Sequence, residues 1–407
     1  MDEWMNMPLR TEYLYHLTDD TGIFQHTKFG VPDRSHGYTT DDNARALIAA
    51  VMLYKTQRDA GSLNLMNTYL SFVHHAQNHD GYFRNFMGYS RSFLEERGSE
   101  DCLGRCLWAI GYTLSEQAVP DNMQNTCRYM LNEALPNLRN LTAPRAMAYA
   151  LVGLCYVLDT PGATSYAFPY PHAKNEDAAE FLPREAIVDV VEELSSRLRA
   201  QYAAKKGPGW HWFEDIITYG NAMLPWALFK ASHMCAASAD LQNAAQESLD
   251  FLLSVTFSPH GYFRPIGSHG WLVRDGQAAR YDEQPIEACE TMLACQEAYA
   301  ALGDPSYLTF AAQCFAWFHG RNSMNQSLID PQTGACYDGI HSEGLNLNQG
   351  SENIVSYCIA HLARTVKNHD ETGMEGEKLQ RIASGVQSGP AQGDETAVRG
   401  GRRPGRL

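Results

Sequence analysis

The stretch Thr39-Thr40-Asp41-Asp42-Asn43-Ala44-Arg45-Ala46-Leu47-Ile48-Ala49-Ala50-Val51-Met52-Leu53 decides the fold. After its two acids it carries a single charge, and its apolar residues run almost all the way round a helix, so it reads as a helix buried on every side. Five further segments repeat the form, beginning near Asp101 (GSEDCLGRCLWAIGYTL), Pro144 (TAPRAMAYALVGLCYVL), Tyr219 (YGNAMLPWALFKA), Glu283 (DEQPIEACETMLACQEAY) and Glu352 (GSENIVSYCIAHLA). Six buried helices require six partners to cover them.

Those partners lie between the buried segments. Stretches near residues 63–79, 120–138, 183–204, 239–256 and 305–320 set apolar positions at helical spacing among His, Asn, Gln, Glu and Arg, as in helices with one wet face. The sixth cover must come from the stretch before residue 20 or from the segment after Glu352. The buried segments are unevenly spaced, which suits helical hairpins with variable loops better than short identical repeats. The pattern predicts an all-α closed ring of six hairpins, an (α/α)6 toroid over residues 1–369, with a disordered tail over 370–407. The tail loses the apolar period and holds the one basic cluster, Arg399, Arg402, Arg403 and Arg406.

A shorter echo supports the repeat: Asp80-Gly81-Tyr82-Phe83-Arg84 follows one covering segment and His260-Gly261-Tyr262-Phe263-Arg264 follows another. Gly207-Pro208-Gly209-Trp210-His211-Trp212 and Gly22-Ile23-Phe24-Gln25-His26 occupy similar slots. Glycine at a helix end permits a left-handed cap, and alternating aromatics after it suggest short β-hairpins around the mouth of the ring. Such aromatics either plug the loop layer or rim a site.

Composition narrows the class of function. The chain has 407 residues, 44% of them hydrophobic, and a formal net charge of -15. That charge argues against nucleic acid as a partner, since a phosphate polymer needs a basic face. The ten cysteines are scattered, several within the apolar helices, and read as reduced buried thiols. The first residues lack the basic start and apolar run of a signal peptide, and no apolar stretch is long enough to span a bilayer, so a soluble cytoplasmic protein with no membrane partner is expected. No phosphate loop, nucleophile elbow or metalloprotease helix occurs, and no cofactor or metal is implied.

The chemistry is expected where buried helices begin. An acid at a helix start is most simply a cap, but one cap suffices, and here acids come doubled: Asp41-Asp42, Glu100-Asp101 and Asp282-Glu283, with Glu287 one turn further in. Arg45 follows Asp42 by three residues and Arg105 follows Asp101 by four, so each shares a helix face with the acid before it. Either the pairs are plain ion pairs, or each Arg orients one carboxylate while its neighbour meets substrate. The fourth mouth, Trp210-His211-Trp212-Phe213-Glu214-Asp215 leading to Tyr219, combines aromatic platforms with acids, the pairing that sugars demand with their C–H faces and hydroxyls.

The repeat of acids at inner-helix mouths beside Trp, Tyr and His loops resembles the six-hairpin glycosidase superfamily, over roughly residues 10–365. The runs Leu17-Thr18-Asp19-Asp20-Thr21-Gly22-Ile23-Phe24-Gln25-His26 and His36-Gly37-Tyr38-Thr39-Thr40-Asp41-Asp42-Asn43-Ala44-Arg45-Ala46-Leu47 also resemble a bacterial group associated with glycosyltransferases. The resemblance implies a carbohydrate-active enzyme, first of all a glycoside hydrolase with two carboxyl groups across a funnel and an oligosaccharide or glycoside as substrate. One acid would be Asp41 or Asp42, opposed by Asp101, Glu214 or Asp215. His26, His36, Tyr38, Arg45, Arg105, Trp212, Tyr219, Gln284 and Glu287 form the expected substrate-binding set. Three alternatives stay open. An epimerase or isomerase would use His26, His36, His211 or His269; a lyase would use Tyr219 or Tyr38; a sugar-binding accessory module would have no turnover.

Overall fold

The computed structural model describes residues 7–165 and 183–364. Six helices form an inner ring: α2 (Thr40–Gln57), α4 (Glu100–Ser115), α6 (Pro144–Asp159), α8 (Met223–Ser232), α10 (Pro285–Leu302) and α12 (351–364). Neighbours pack in chain order from α2 to α10, and Arg45 of α2 closes the ring by bonding Glu352 of α12. Each of these helices is buried nearly all round, as its apolar sequence requires. The (α/α)6 arrangement is the predicted one.

The outer layer comprises α3 (Ala60–Ala76), α5 (Asp121–Ala134), α7 (Arg184–Lys205), α9 (Ser238–Thr256) and α11 (Ser306–Phe318). The missing sixth cover is the short α1 (Glu12–His16) with the residues beside it. It is tied to α3 through Thr18 Oγ1 and Tyr69 Oη at 2.7 Å, and to α12 through the Met7 carbonyl and His361 Nε2 at 3.0 Å. Close helix approach explains three mid-helix glycines: a Cβ on Gly111 would lie 2.0 Å from the Gly153 carbonyl oxygen, one on Gly153 2.1 Å from that of Leu107, and one on Gly104 2.6 Å from that of Ala146. Glycine's entropic cost in α4 and α6 is offset there by backbone-to-backbone packing.

All inner helices begin at one end, and the loops arriving from the outer layer cover that end with two-stranded antiparallel pairs. These are β1 (Thr27–Lys28) with β2 (Val31–Pro32), β3 (Tyr38–Thr39) with β4 (Phe86–Met87), β5 (Ile216–Ile217) with β6 (Leu272–Val273), and β7 (Gly339–His341) with β8 (Gly344–Asn346). The sequence echo is a structural repeat: Gln77 bridges Phe83 as Phe257 bridges Phe263, with Gly81 and Gly261 at φ 81° and 78°. Phe83 and Phe263 are buried, so these aromatics plug the loop layer. Among the described residues no helix is long and apolar enough to cross a membrane, and the ten cysteines are free thiols, all but Cys235 buried. The expected tail over 370–407 lies outside the described residues.

Candidate active site

The doubled acids are indeed released from capping. Thr39 caps α2, its hydroxyl accepting from the Asp42 amide at 3.2 Å, and Ser99 caps α4 by accepting from the Cys102 amide at 3.2 Å. Glu100 reaches across instead to the start of α6, accepting from the amides of Thr142 and Ala143 at 2.7 Å each. Asp41, Asp42 and Asp101 are thereby left for other work.

Where the first and last hairpins meet, a cavity of about 280 Å³ opens at the mouth. Its floor is an ion-pair network on α2, α4 and α12. Arg45 forks between Asp42 Oδ1 at 2.9 Å and Glu352 Oε2 at 2.8 Å. Arg105 pairs with Asp41 Oδ2 at 3.1 Å, and Asn85 Nδ2 donates to the same oxygen at 3.1 Å. Asp42 is fully engaged, since Thr39 Oγ1 donates to its other oxygen at 2.6 Å. Asp41 Oδ1 has no hydrogen-bond partner.

The walls add Asp338, Asp282, Gln284, His26, Asn346 and Asn353, with Phe86 at the rim. Asp338 Oδ1 accepts from the Gly350 amide at 2.6 Å and from Asn353 Nδ2 at 2.5 Å. Asp282 accepts from Ser268 Oγ at 3.0 Å and Gln284 Nε2 at 3.1 Å, and pairs with His341 at 3.0 Å. The His26 ring meets that of His36 edge-on at 4.8 Å.

The carboxyls are driven apart electrostatically. Burial pushes Asp338 above the usual carboxylate range, against the Gly350 and Asn353 donors that favour its charge. Burial pushes Asp42 up as well, against Arg45. For Glu352 burial acts in the same direction, but the guanidiniums of Arg45 and Arg105 outweigh it and hold the group below its ordinary value. One carboxyl raised above its ordinary range and one held below it share one cavity, the kind of separation that acid–base chemistry uses.

The sequence-derived set divides accordingly. Asp41, Asp42, Arg45, Arg105, His26 and Gln284 are brought together around the cavity. Asp101 stands outside the lining, behind Arg105, whose charge feels both Asp41 and Asp101; it accepts from the exposed Tyr219 hydroxyl at 2.6 Å. Burial and that bond raise the Tyr219 phenol to about 12. Glu214 is paired with Arg145 at 2.6 Å. Four expectations need correction. Asp215 is exposed and held by Lys205 and by Arg274 at 3.2 Å, which pins a surface loop. Trp212, expected as a stacking platform, is 0% exposed and belongs to the core, its ring edge-on to Phe213. Tyr38 is likewise buried, stacked on Phe24, with its hydroxyl given to Asp19 at 2.7 Å. Glu287 is buried beneath the 218–221 turn, accepting from the Gly220 amide at 2.6 Å and Asn221 Nδ2 at 2.9 Å. His36 lies at the exposed rim beside Asp33.

Glu352 and Asp282 carry the helix-mouth signal yet stand outside that set. Asn85 and Phe86 follow the Gly-Tyr-Phe-Arg echo directly. Asn353 lies in the quoted sixth segment but is not acidic, and Asp338 gave no periodic sign, because loop closure alone brings it to the start of α12.

No family model matches the sequence, and no curated protein matches it. Solved structures do match. A cellobiose 2-epimerase from Bacillus thermoamylovorans superposes with a TM-score of 0.64 at 10% identity, over 88% of this chain and 96% of that one. The chain shares their (α/α)6 toroid. A D-mannose isomerase gives 0.62 at 13% identity, over 88% and 94% of the two chains. An alpha-mannanase of glycoside hydrolase family 76 from Bacteroides thetaiotaomicron gives 0.57 at 11%, over 88% and 96%. The toroid is thus common to proteins named for different sugar reactions.

Proposed function

We propose that the protein is a carbohydrate-active enzyme that hydrolyses a glycosidic bond in the cavity between its first and last hairpins, with Asp338 as general acid and Glu352 as general base. The observation that carries this reading is the opposed setting of these two carboxyls within one small polar cavity. Asp338 gives its proton to the leaving oxygen; Glu352 takes one from the water that attacks the anomeric carbon, so the bond to the leaving group breaks as the bond to water forms. Asp42 acts through Arg45, which it holds, and is a positioning residue. Asp41, held by Arg105 and Asn85, suits a sugar hydroxyl, as do Gln284, Asn346 and Asn353. The shared fold of sugar-processing proteins supports the carbohydrate assignment. A cavity this small fits one or two sugar rings better than the middle of a polymer.

His26 in the lining favours a second reading, proton transfer on a free sugar by an epimerase or isomerase. A panel of aryl glycosides and short oligosaccharides, with products resolved by chromatography, is the test. Turnover with release of a free sugar is expected, and both Asp338→Asn and Glu352→Gln should lower kcat/KM by about 10²–10⁴-fold. Turnover that survives both substitutions would remove these residues from the mechanism. Deuterium appearing at a carbon of a recovered, uncleaved sugar in D₂O would transfer the assignment to the isomerase reading.

A further inference from the structure

The cavity, Phe86 apart, is lined mainly by polar and charged side chains, yet its rim is not. Apart from Met7 and Tyr15, every strongly exposed large apolar side chain among the described residues belongs to the loops at the mouth. Part of this surface is built rather than incidental. Met87 bridges Phe93 in an antiparallel pairing, and the Leu94 amide donates to the Phe86 carbonyl at 2.9 Å. Side chains alternate across such a pair, so Met87 and Phe93 turn inward together while Phe86 and Leu94 turn outward together. The inward pair packs with Phe24, Tyr38 and Phe72. The outward pair is 44% and 71% exposed, and Phe86 also lines the cavity, so an apolar ledge runs directly from its edge. Leu347, 51% exposed, follows the cavity-lining Asn346.

We propose that the substrate is an amphiphilic glycoside, whose sugar enters the cavity and whose apolar aglycone lies across Phe86 and Leu94 with Leu347 beside it. This rests on the carbohydrate reading above and specifies the substrate class for the same site. A second sugar ring is the poorer occupant. Phe86 offers a face for stacking, but leucine has no π-face, and hydroxyls laid on it lose water without gaining partners. The continuity of this apolar surface with the cavity through Phe86 selects a group covalently joined to the sugar.

Calorimetry with methyl and octyl glycosides of glucose, mannose and galactose, below micellar concentration, separates the possibilities. For at least one sugar the octyl glycoside should bind roughly tenfold or more tightly than the methyl, the effect of about two methylenes buried. The double variant Leu94→Ser, Leu347→Ser should lose most of that gain while methyl glycoside affinity is unchanged. Methyl glycosides that bind with no octyl advantage overturn the aglycone proposal alone. No binding in either series overturns the carbohydrate reading with it. Two further measurements bear on the same surface. If the wild type sediments with phosphatidylcholine–phosphatidylglycerol vesicles, or self-associates by analytical ultracentrifugation, and the double variant does neither while octyl glycosides show no gain, the ledge is a membrane or protein contact and the proposal fails.

Discussion

Two regions of the mouth are built from the same parts and differ in outcome. In one, Arg45 joins Asp42 and Glu352 across the seam between the first and last hairpins. In the other, Arg145 joins Glu214, the Tyr219 carbonyl and Asn221, while Glu287 holds the Gly220 and Asn221 amides from below. The second network is closed: its acids are occupied by backbone donors or by an arginine, and it fixes the 207–222 loop onto α6 and α10. The first lies open to a cavity and leaves Asp41 Oδ1 without a partner. Paired charges at helix mouths therefore do not by themselves make a site. In the proposed function a site needs room beside them and a loop that supplies a second carboxyl, here the one bearing Asp338.

The sharpest way to break this comparison is to remove both arginines in turn. Arg45→Met and Arg145→Met should each cost about 2–4 kcal/mol in denaturant unfolding, because the first leaves buried Asp42 and part-exposed Glu352 uncompensated and the second leaves part-exposed Glu214 and the Tyr219 carbonyl without their partner. Only Arg45→Met should move the pH profile of turnover, raising its acidic limb as Glu352 loses the guanidinium that holds it ionised. If Arg145→Met shifts that limb equally, the distinction between open and closed networks fails.

Trp212→Ala tests the aromatic corner of the closed region. A cost of about 3–5 kcal/mol is expected, as for a large core residue, with normal glycoside affinity in the folded protein. Lost affinity at unchanged stability would restore Trp212 as a sugar platform.

Glu290 lies on the face of α10 behind both regions, accepting from Tyr149 Oη at 2.7 Å, and burial raises it from 4.5 to about 8, with the nearby Glu287 adding to the effect. The folded state then holds a proton that the unfolded chain gives up near pH 4.5, so the associated stability is present below that pH and is lost as pH rises to about 8. Melting temperature should fall across this window, and Glu290→Gln should flatten the fall. An unchanged slope in the variant would show that Glu290 ionises freely.

The smallest effect is expected at Asp215. Its partners Lys205 and Arg274 hold it at the exposed surface, and Asp215→Ala should cost under about 1 kcal/mol and leave turnover intact. A large loss of activity would return Asp215 to the catalytic set.

The ring was legible because burial imposes a period on sequence. A helix with neighbours all round must be apolar all round, and six such helices with five half-wet partners leave little but a closed double layer. Even the mouth could be located, since the acids there come doubled where one cap suffices, and the structure gives the capping to Thr39 and Ser99. The sequence by itself thus determined the toroid, and it placed Asp41, Asp42, Arg45, Arg105, His26 and Gln284 at the mouth, where packing gathers them around one cavity. It did not determine which surplus acids face each other. That depends on which hairpins meet around the cavity, and chain closure brings Glu352 beside Arg45 across some three hundred residues without leaving a local pattern. Nor does local sequence distinguish an aromatic that packs from one left exposed: Trp212 and Phe86 both follow a Gly-led aromatic run, and only the surrounding core buries the first and leaves the second at the rim. Periodicity reports how much of a helix is buried, whereas a site depends on the space left between elements, and that space exists only once they have packed.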